Sequence, residues 1–213
     1  MASSRGSSVC SRRQTMEFVP LELRWHGRGG YGAKTAALLL AEAVIEFGGF
    51  AQASPEFGPE RRGAPVQAYT RISPQPVRRR GPVDRPDVLV LLDARLVSSP
   101  GVLQGVTART RVVVNGAGPV AVPGVPPEGV LVLDASGIAR RTVGRDIPNV
   151  PLLAAVAVAF VGLPPGPFLR WLGERLARDL PEEVARRNVE AARLAVEEVQ
   201  PWLRTGRLST AGR

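Results

Sequence analysis

LELRWHGRGGYGAKTAALLLAEAVIEFGG, residues 21–49, reads as a strand, a glycine turn and a helix, and this unit sets the fold. Leu21, Leu23 and Trp25 alternate with Glu22, Arg24 and His26, the two-residue period of a strand with one side turned to a core. Glycines then crowd residues 27–32, where His26 is expected to serve the turn rather than act as a base. Residues 33–47 are nearly all apolar, broken by Lys34, Glu42 and Glu46, and Gly48-Gly49 closes them as a helix C-terminus would.

Downstream, residues 88–92, 112–114 and 130–133 are short apolar runs that end in Asp93, Asn115 and Asp134. Such runs are buried parallel strands, whose carboxyl ends are where open α/β sheets place ligands or partners. Val66, Ala68, Thr70 and Ile72 alternate with polar residues as a half-buried strand near a sheet edge, and residues 50–53 form a shorter one. Helices are expected over 152–161, 168–177 and 181–199. The last has Asp179 and Glu182 at N-cap and N3 spacing, with Ala185, Val189, Ala192, Val196 and Val199 in one stripe. The expected fold is a single three-layer α/β domain with a mostly parallel sheet, a Rossmann-like glycine loop after the first strand and a helical C-terminus. It should occupy residues 17–200, between an extension at 1–16, either disordered or preceding a true start at Met16, and a flexible basic tail at 201–213.

Composition narrows the function. The net charge of +9 suggests nucleic acid until it is located: three arginines lie in residues 1–15 and three in 204–213, and neither segment holds an acid. With those six set aside, the 28 basic residues fall to 22 against 19 acids, and Arg78, Arg79 and Arg80 account for the difference. A nucleic-acid surface is therefore not expected. Cys10 and His26 are the only residues of their kinds, so neither an iron–sulfur cluster, a disulfide nor a His/Cys zinc site can be built within the chain. The longest apolar run, residues 151–163, is shorter than the ~20 residues that span a bilayer and reads as a buried helix of a cytoplasmic protein.

Two motifs carry the candidate chemistry. Gly27, Arg28, Gly29, Gly30, Tyr31 and Gly32 satisfy G-x-G-x-x-G between strand and helix, where bare amides and the helix dipole hold phosphate. Three readings stand: a structural turn, an anion or partner contact, and a nicotinamide or flavin site, the last weakened because the next strand exit offers Gln52-Ala53-Ser54 rather than an acid. The second motif, EFGPERRGAPV at 56–66, packs Glu56, Glu60, Arg61 and Arg62 among prolines and glycines. Its charges either lock the loop, meet another subunit, or offer an arginine fork to a ligand. Asp93 and Asp134 are expected to cap the elements that follow them, and Asn149 to cap a helix, rather than to hold metal. No Ser-His-Asp set can be assembled around one histidine, and no GDG segment with paired asparagines for thiamine diphosphate is present.

Taken in order, RWHGRGGYGAKTAALLLAEA (24–43), AQASPEFGPERRGAPVQAYTRIS (51–73), PDVLVLLDARLV (86–97) and ARRNVEAARLAVEEV (185–199) closely resemble the gamma subunit of 2-oxoacid:ferredoxin oxidoreductases of the pyruvate or ketoisovalerate kind. The resemblance implies a complex in which alpha and beta chains hold thiamine diphosphate and magnesium, and a delta chain carries iron–sulfur clusters. That complex decarboxylates a 2-oxoacid, reduces ferredoxin and forms an acyl-CoA. This chain would hold no cofactor alone and no bond-making residue, and would form a wall near coenzyme A. Tyr31 departs from the family's usual glutamine. The competing reading is a stand-alone NAD(P)- or flavin-binding oxidoreductase.

Overall fold

The computed structural model describes residues 16–55 and 65–204. In chain order these form β1 (Leu21–Arg28), α1 (Ala33–Glu46), β2 (Phe50–Pro55), β3 (Pro65–Ser73), β4 (Val88–Leu91), β5 (Arg111–Asn115), β6 (Val130–Leu133), α2 (Ala135–Thr142), α3 (Asn149–Ala159), α4 (Pro165–Leu176) and α5 (Glu182–Arg204). The six strands make one sheet in the order β2-β3-β1-β4-β5-β6. β1, β4, β5 and β6 run parallel, and β3 pairs antiparallel with both β1 and β2. The expected mostly parallel α/β sheet is the one observed.

The main core forms on one side of the sheet. Leu21, Leu23 and Trp25 of β1, Val88 and Val90 of β4 and Val113 of β5 point there, against buried residues from all five helices. Each such side chain contributes about 1.5–3 kcal/mol of burial. α3 is apolar all round because every one of its residues is buried, and it contacts both α1 and α5. This accounts for the apolar run at 151–163. No helix among the described residues is long and apolar enough to cross a membrane. A buried chain of hydrogen bonds ties strand to helix: Trp25 Nε1 donates to Thr70 Oγ1 at 3.0 Å, which donates to the Ala37 carbonyl at 3.1 Å.

On the other side the third layer is irregular. Leu89, Leu91, Val112 and Val114 are covered by Leu96 of the 3-10 turn Ala94–Ser98 and by loop residues Val102, Val122 and Val125. The β4–β5 and β5–β6 connections are too rich in glycine and proline to sustain an α-helix. Over β1 and β3 this same side is polar. Arg24 donates to the carbonyls of Val83, Val102 and Gln104 at 3.2, 2.9 and 2.7 Å. Arg71 donates to Glu22 at 2.7 Å and to the carbonyls of Gly81 and Pro82 at 2.8 and 2.7 Å.

Three expectations need correction. His26 is not a turn residue: β1 continues to Arg28 because β3 pairs with it through Arg28↔Pro65, so His26 lies inside the strand and is 3% exposed. Asp179 does not cap the last helix, which starts three residues later at Glu182; its carboxylate accepts from Arg175 of α4 at 2.6 Å. That helix also continues past residue 200 to Arg204 through Pro201, with Trp202 packed on Phe160 at 5.4 Å between ring centroids. Residues 1–15 and 205–213 lie outside the described residues.

Candidate functional site

The carboxyl edge of the parallel strands is built from the glycine run outward. After Arg28 the chain turns so that the Tyr31 amide donates to the Arg28 carbonyl at 3.0 Å, and Gly30 and Gly32 take φ of 98° and 77°. Those angles suit glycine and strain other residues. Gly32 is the N-cap of α1, and no side chain caps that helix. The first intrahelical bond runs from the Ala36 amide to the Gly32 carbonyl at 2.9 Å, so the amides ahead of it face the loop. With the helix dipole behind them they suit an anion.

Asn149 closes one side of this turn. A methyl group on Gly32 would stand 2.4 Å from Asn149 Nδ2, so the amide rests against the glycine and only glycine fits. Asn149 is the first residue of α3 rather than its N-cap, which is Pro148; Oδ1 accepts from the Val150 amide at 2.9 Å, while Nδ2 is directed at the loop.

A charged cluster joins the carboxyl ends of β1 and β4. Arg28 Nε and Arg95 Nη2 each donate to Asp93 Oδ2 at 2.8 Å, and Asp93 Oδ1 accepts the Arg95 amide at 3.0 Å. Asp93 thus caps the 3-10 turn, as expected, and also joins two arginines. Burial would raise the Asp93 carboxyl, but hydrogen bonds from Arg95 and Arg28 outweigh it and hold the group below the usual carboxylate range. Arg95 is held above its usual range by its hydrogen bonds to Asp93 and by that carboxylate's charge. Two guanidiniums around one carboxylate leave one net positive charge at the loop that leads into α1.

Further along the edge, Asn115 Nδ2 donates to the Leu92 carbonyl and to Ser136 Oγ, both at 2.9 Å. Ser136 Oγ in turn donates to Asp146, which also pairs with Arg140. Asp134 caps α2 by accepting the Gly137 amide at 2.7 Å.

The structure therefore gathers Gly27, Arg28, Gly29, Gly30, Gly32 and Asn149 in one place. Glu56, Glu60, Arg61 and Arg62 lie outside the described residues. Sequence reasoning missed Arg95; the only signal was a basic residue two positions beyond the strand-end Asp93. Among the described residues no cluster of three or more His, Cys, Asp or Glu side chains is placed to hold a metal ion.

The sequence pattern of the family described as pyruvate ferredoxin/flavodoxin oxidoreductase matches residues 22–198. The chain is 43% identical over 180 residues to pyruvate synthase subunit PorC of Methanothermobacter thermautotrophicus, covering 84% of this chain and 96% of that one. It is 39% identical over 184 residues to the pyruvate/ketoisovalerate oxidoreductases common subunit gamma of Pyrococcus abyssi, covering 84% and 97%. The crystal structure of pyruvate oxidoreductase subunit PORC from Thermotoga maritima superimposes with a TM-score of 0.69 at 35% identity, over 84% of this chain and 96% of that one. These matches leave the stand-alone nicotinamide or flavin reading without support. With a family match over residues 22–198, relatives of about 40% identity along nearly their whole length and a shared fold, the chain belongs to the pyruvate ferredoxin/flavodoxin oxidoreductase family.

Proposed function

We propose that this chain is the gamma subunit of a cytoplasmic, multi-subunit 2-oxoacid:ferredoxin oxidoreductase of the pyruvate or ketoisovalerate type. In this reading its carboxyl edge forms part of the coenzyme A side of the active site. The observation that carries the proposal is the start of α1, which no side chain caps, with Asn149 Nδ2 against Gly32 and with Arg28 of the preceding strand joined through Asp93 to Arg95. Coenzyme A offers phosphate groups, which bare amides and guanidiniums recognise. Glu56, Glu60, Arg61 and Arg62 are assigned to substrate or subunit contact on their sequence pattern alone.

The described residues do not fit the other groups that the reaction needs. An iron–sulfur cluster requires a set of thiolates, and a magnesium-bound diphosphate requires clustered oxygen ligands; neither is assembled among them. We assign thiamine diphosphate and magnesium to alpha and beta chains and the clusters to a delta chain that passes electrons to ferredoxin. This chain's own part is to position coenzyme A.

The test uses the assembled complex with pyruvate and a viologen dye. Arg28→Ala and Arg95→Ala are each expected to raise KM for coenzyme A about tenfold, with the KM for the 2-oxoacid unchanged. Unchanged coenzyme A kinetics in both variants would remove the loop from the site.

A further inference from the structure

The opposite end of the sheet carries a second surface that the glycine-loop site does not use. β3 leads there into residues 74–87, a loop with Pro74, Pro76, Pro82 and Pro86 that presents Arg78, Arg79 and Arg80 to solvent. Its second half is fixed by long-range bonds. Arg71 donates to the carbonyls of Gly81 and Pro82, Arg24 to that of Val83, and Val83 itself is 1% exposed. The Asp87 amide donates to the Glu22 carbonyl at 2.8 Å, and the Glu22 amide to the Asp87 carboxylate at 2.9 Å.

Prolines, and tethers from two buried arginines, hold three like charges side by side where a free loop would let them spread. Glu22 is taken by Arg71 at 2.7 Å and meets Arg79 only at 3.8 Å. Among the described residues no ion pair involves Arg78 or Arg80. The loop carries Arg78, Arg79, Arg80 and Arg85 against Asp84 and Asp87, which supplies two of the three positive charges by which residues 16–203 exceed balance.

Two of the exposed large apolar side chains share this end. Phe50, 43% exposed, stands opposite Ser73 at the start of the loop. Val19, 52% exposed, lies two residues before Leu21, which stands opposite Ile72. Arginine and aromatic residues are enriched at protein–protein interfaces, and this end of the sheet exposes both kinds. A free phosphate would make no use of Phe50 or Val19.

We infer that this end of the sheet is where a companion subunit of the oxidoreductase docks, through a surface that offers carboxylates to Arg78, Arg79 and Arg80 and an apolar contact to Phe50. The inference rests on the chain's place in a multi-subunit complex. Docking here leaves the glycine loop, at the other end of the strands, open to the active site.

Co-purification of the chain with its companion chains, at about 0.05 M and about 0.5 M salt, tests the idea. The triple variant Arg78→Glu, Arg79→Glu, Arg80→Glu is expected to bind its companions at least about tenfold more weakly at low salt. The corresponding triple lysine variant should stay within about threefold, because charge rather than fork geometry is what the loop supplies. Phe50→Asp should weaken assembly as well. The isolated glutamate variant should melt like the wild type, since the loop's tethers come from Arg24 and Arg71. Wild-type assembly by the glutamate variant would overturn the inference. Intact assembly with loss of electron transfer to the protein acceptor alone would also overturn it, by making the patch an acceptor contact. A wild-type chain that fails to co-purify with any companion would count against the subunit assignment instead.

Discussion

Strand β1 buries its two sides to similar depth with opposite chemistry. Leu23 and Trp25 are fully enclosed on the helical side, while Arg24 and His26 are only 5% and 3% exposed on the other. The helical side gains stability in proportion to the apolar area it removes from water. The polar side has a desolvation cost to offset, and it does so unevenly. Arg24 Nη1 and Nη2 find loop carbonyls, but Arg24 Nε and His26 Nε2 have no hydrogen-bond partner among the described residues. One side of the strand supplies stability, and the other places the loops that carry the exposed arginines.

The largest expected effect breaks the helical side. Trp25→Ala removes an indole at full burial and leaves Thr70 Oγ1 without its donor, so a loss of about 3–5 kcal/mol is expected in urea unfolding. A loss under about 1.5 kcal/mol would mean that this side is not where the stability resides.

The polar side should show itself through pH. Burial, with Arg24 adding its positive charge, pushes the His26 imidazole down to about 4 from an ordinary value of 6.5. Between those values the unfolded chain takes a proton that the folded one refuses. The stability that neutral His26 permits is therefore complete above pH 6.5, drains as pH falls toward 4, and changes little below. The span corresponds to about 3 kcal/mol. Since carboxylates titrate in part of the same range, the check is the difference between the wild type and His26→Gln, measured by urea unfolding at intervals from pH 7.5 to pH 4. Parallel curves for the two proteins would show that His26 is hydrated in solution.

This contrast explains what could be read from the sequence. Alternation along residues 21–26 and continuous apolar runs at β4, β5 and β6 are local signals, and they yielded the strands, the parallel sheet and the helix after the glycines. The same alternation implied a solvent-facing polar side. That side is instead roofed by segments that Arg24 holds from 59 to 80 residues away, a distance at which no local pattern reports. The candidate site divides in the same way. Glycines with φ of 98° and 77° are written into the chain, whereas the approach of Asn149 to Gly32 and the bridge from Arg28 to Asp93 exist only once α3 has packed on α1 and β4 has paired with β1.

The smallest effect sharpens the comparison because its sign is reversed. Gln52 of β2 stands on the polar side opposite Arg71, and its Oε1 is buried without a hydrogen-bond partner among the described residues. An unpartnered buried carbonyl oxygen costs free energy that an apolar group of similar size does not. Gln52→Leu should therefore stabilise the isolated chain, by about 0.5–1 kcal/mol in urea unfolding. A loss of more than about 0.5 kcal/mol would mean that the amide is satisfied in solution and contributes to the fold. A gain would establish that β1 and its neighbours keep a polar side at some expense to stability, as expected if that side is retained for the loops it positions.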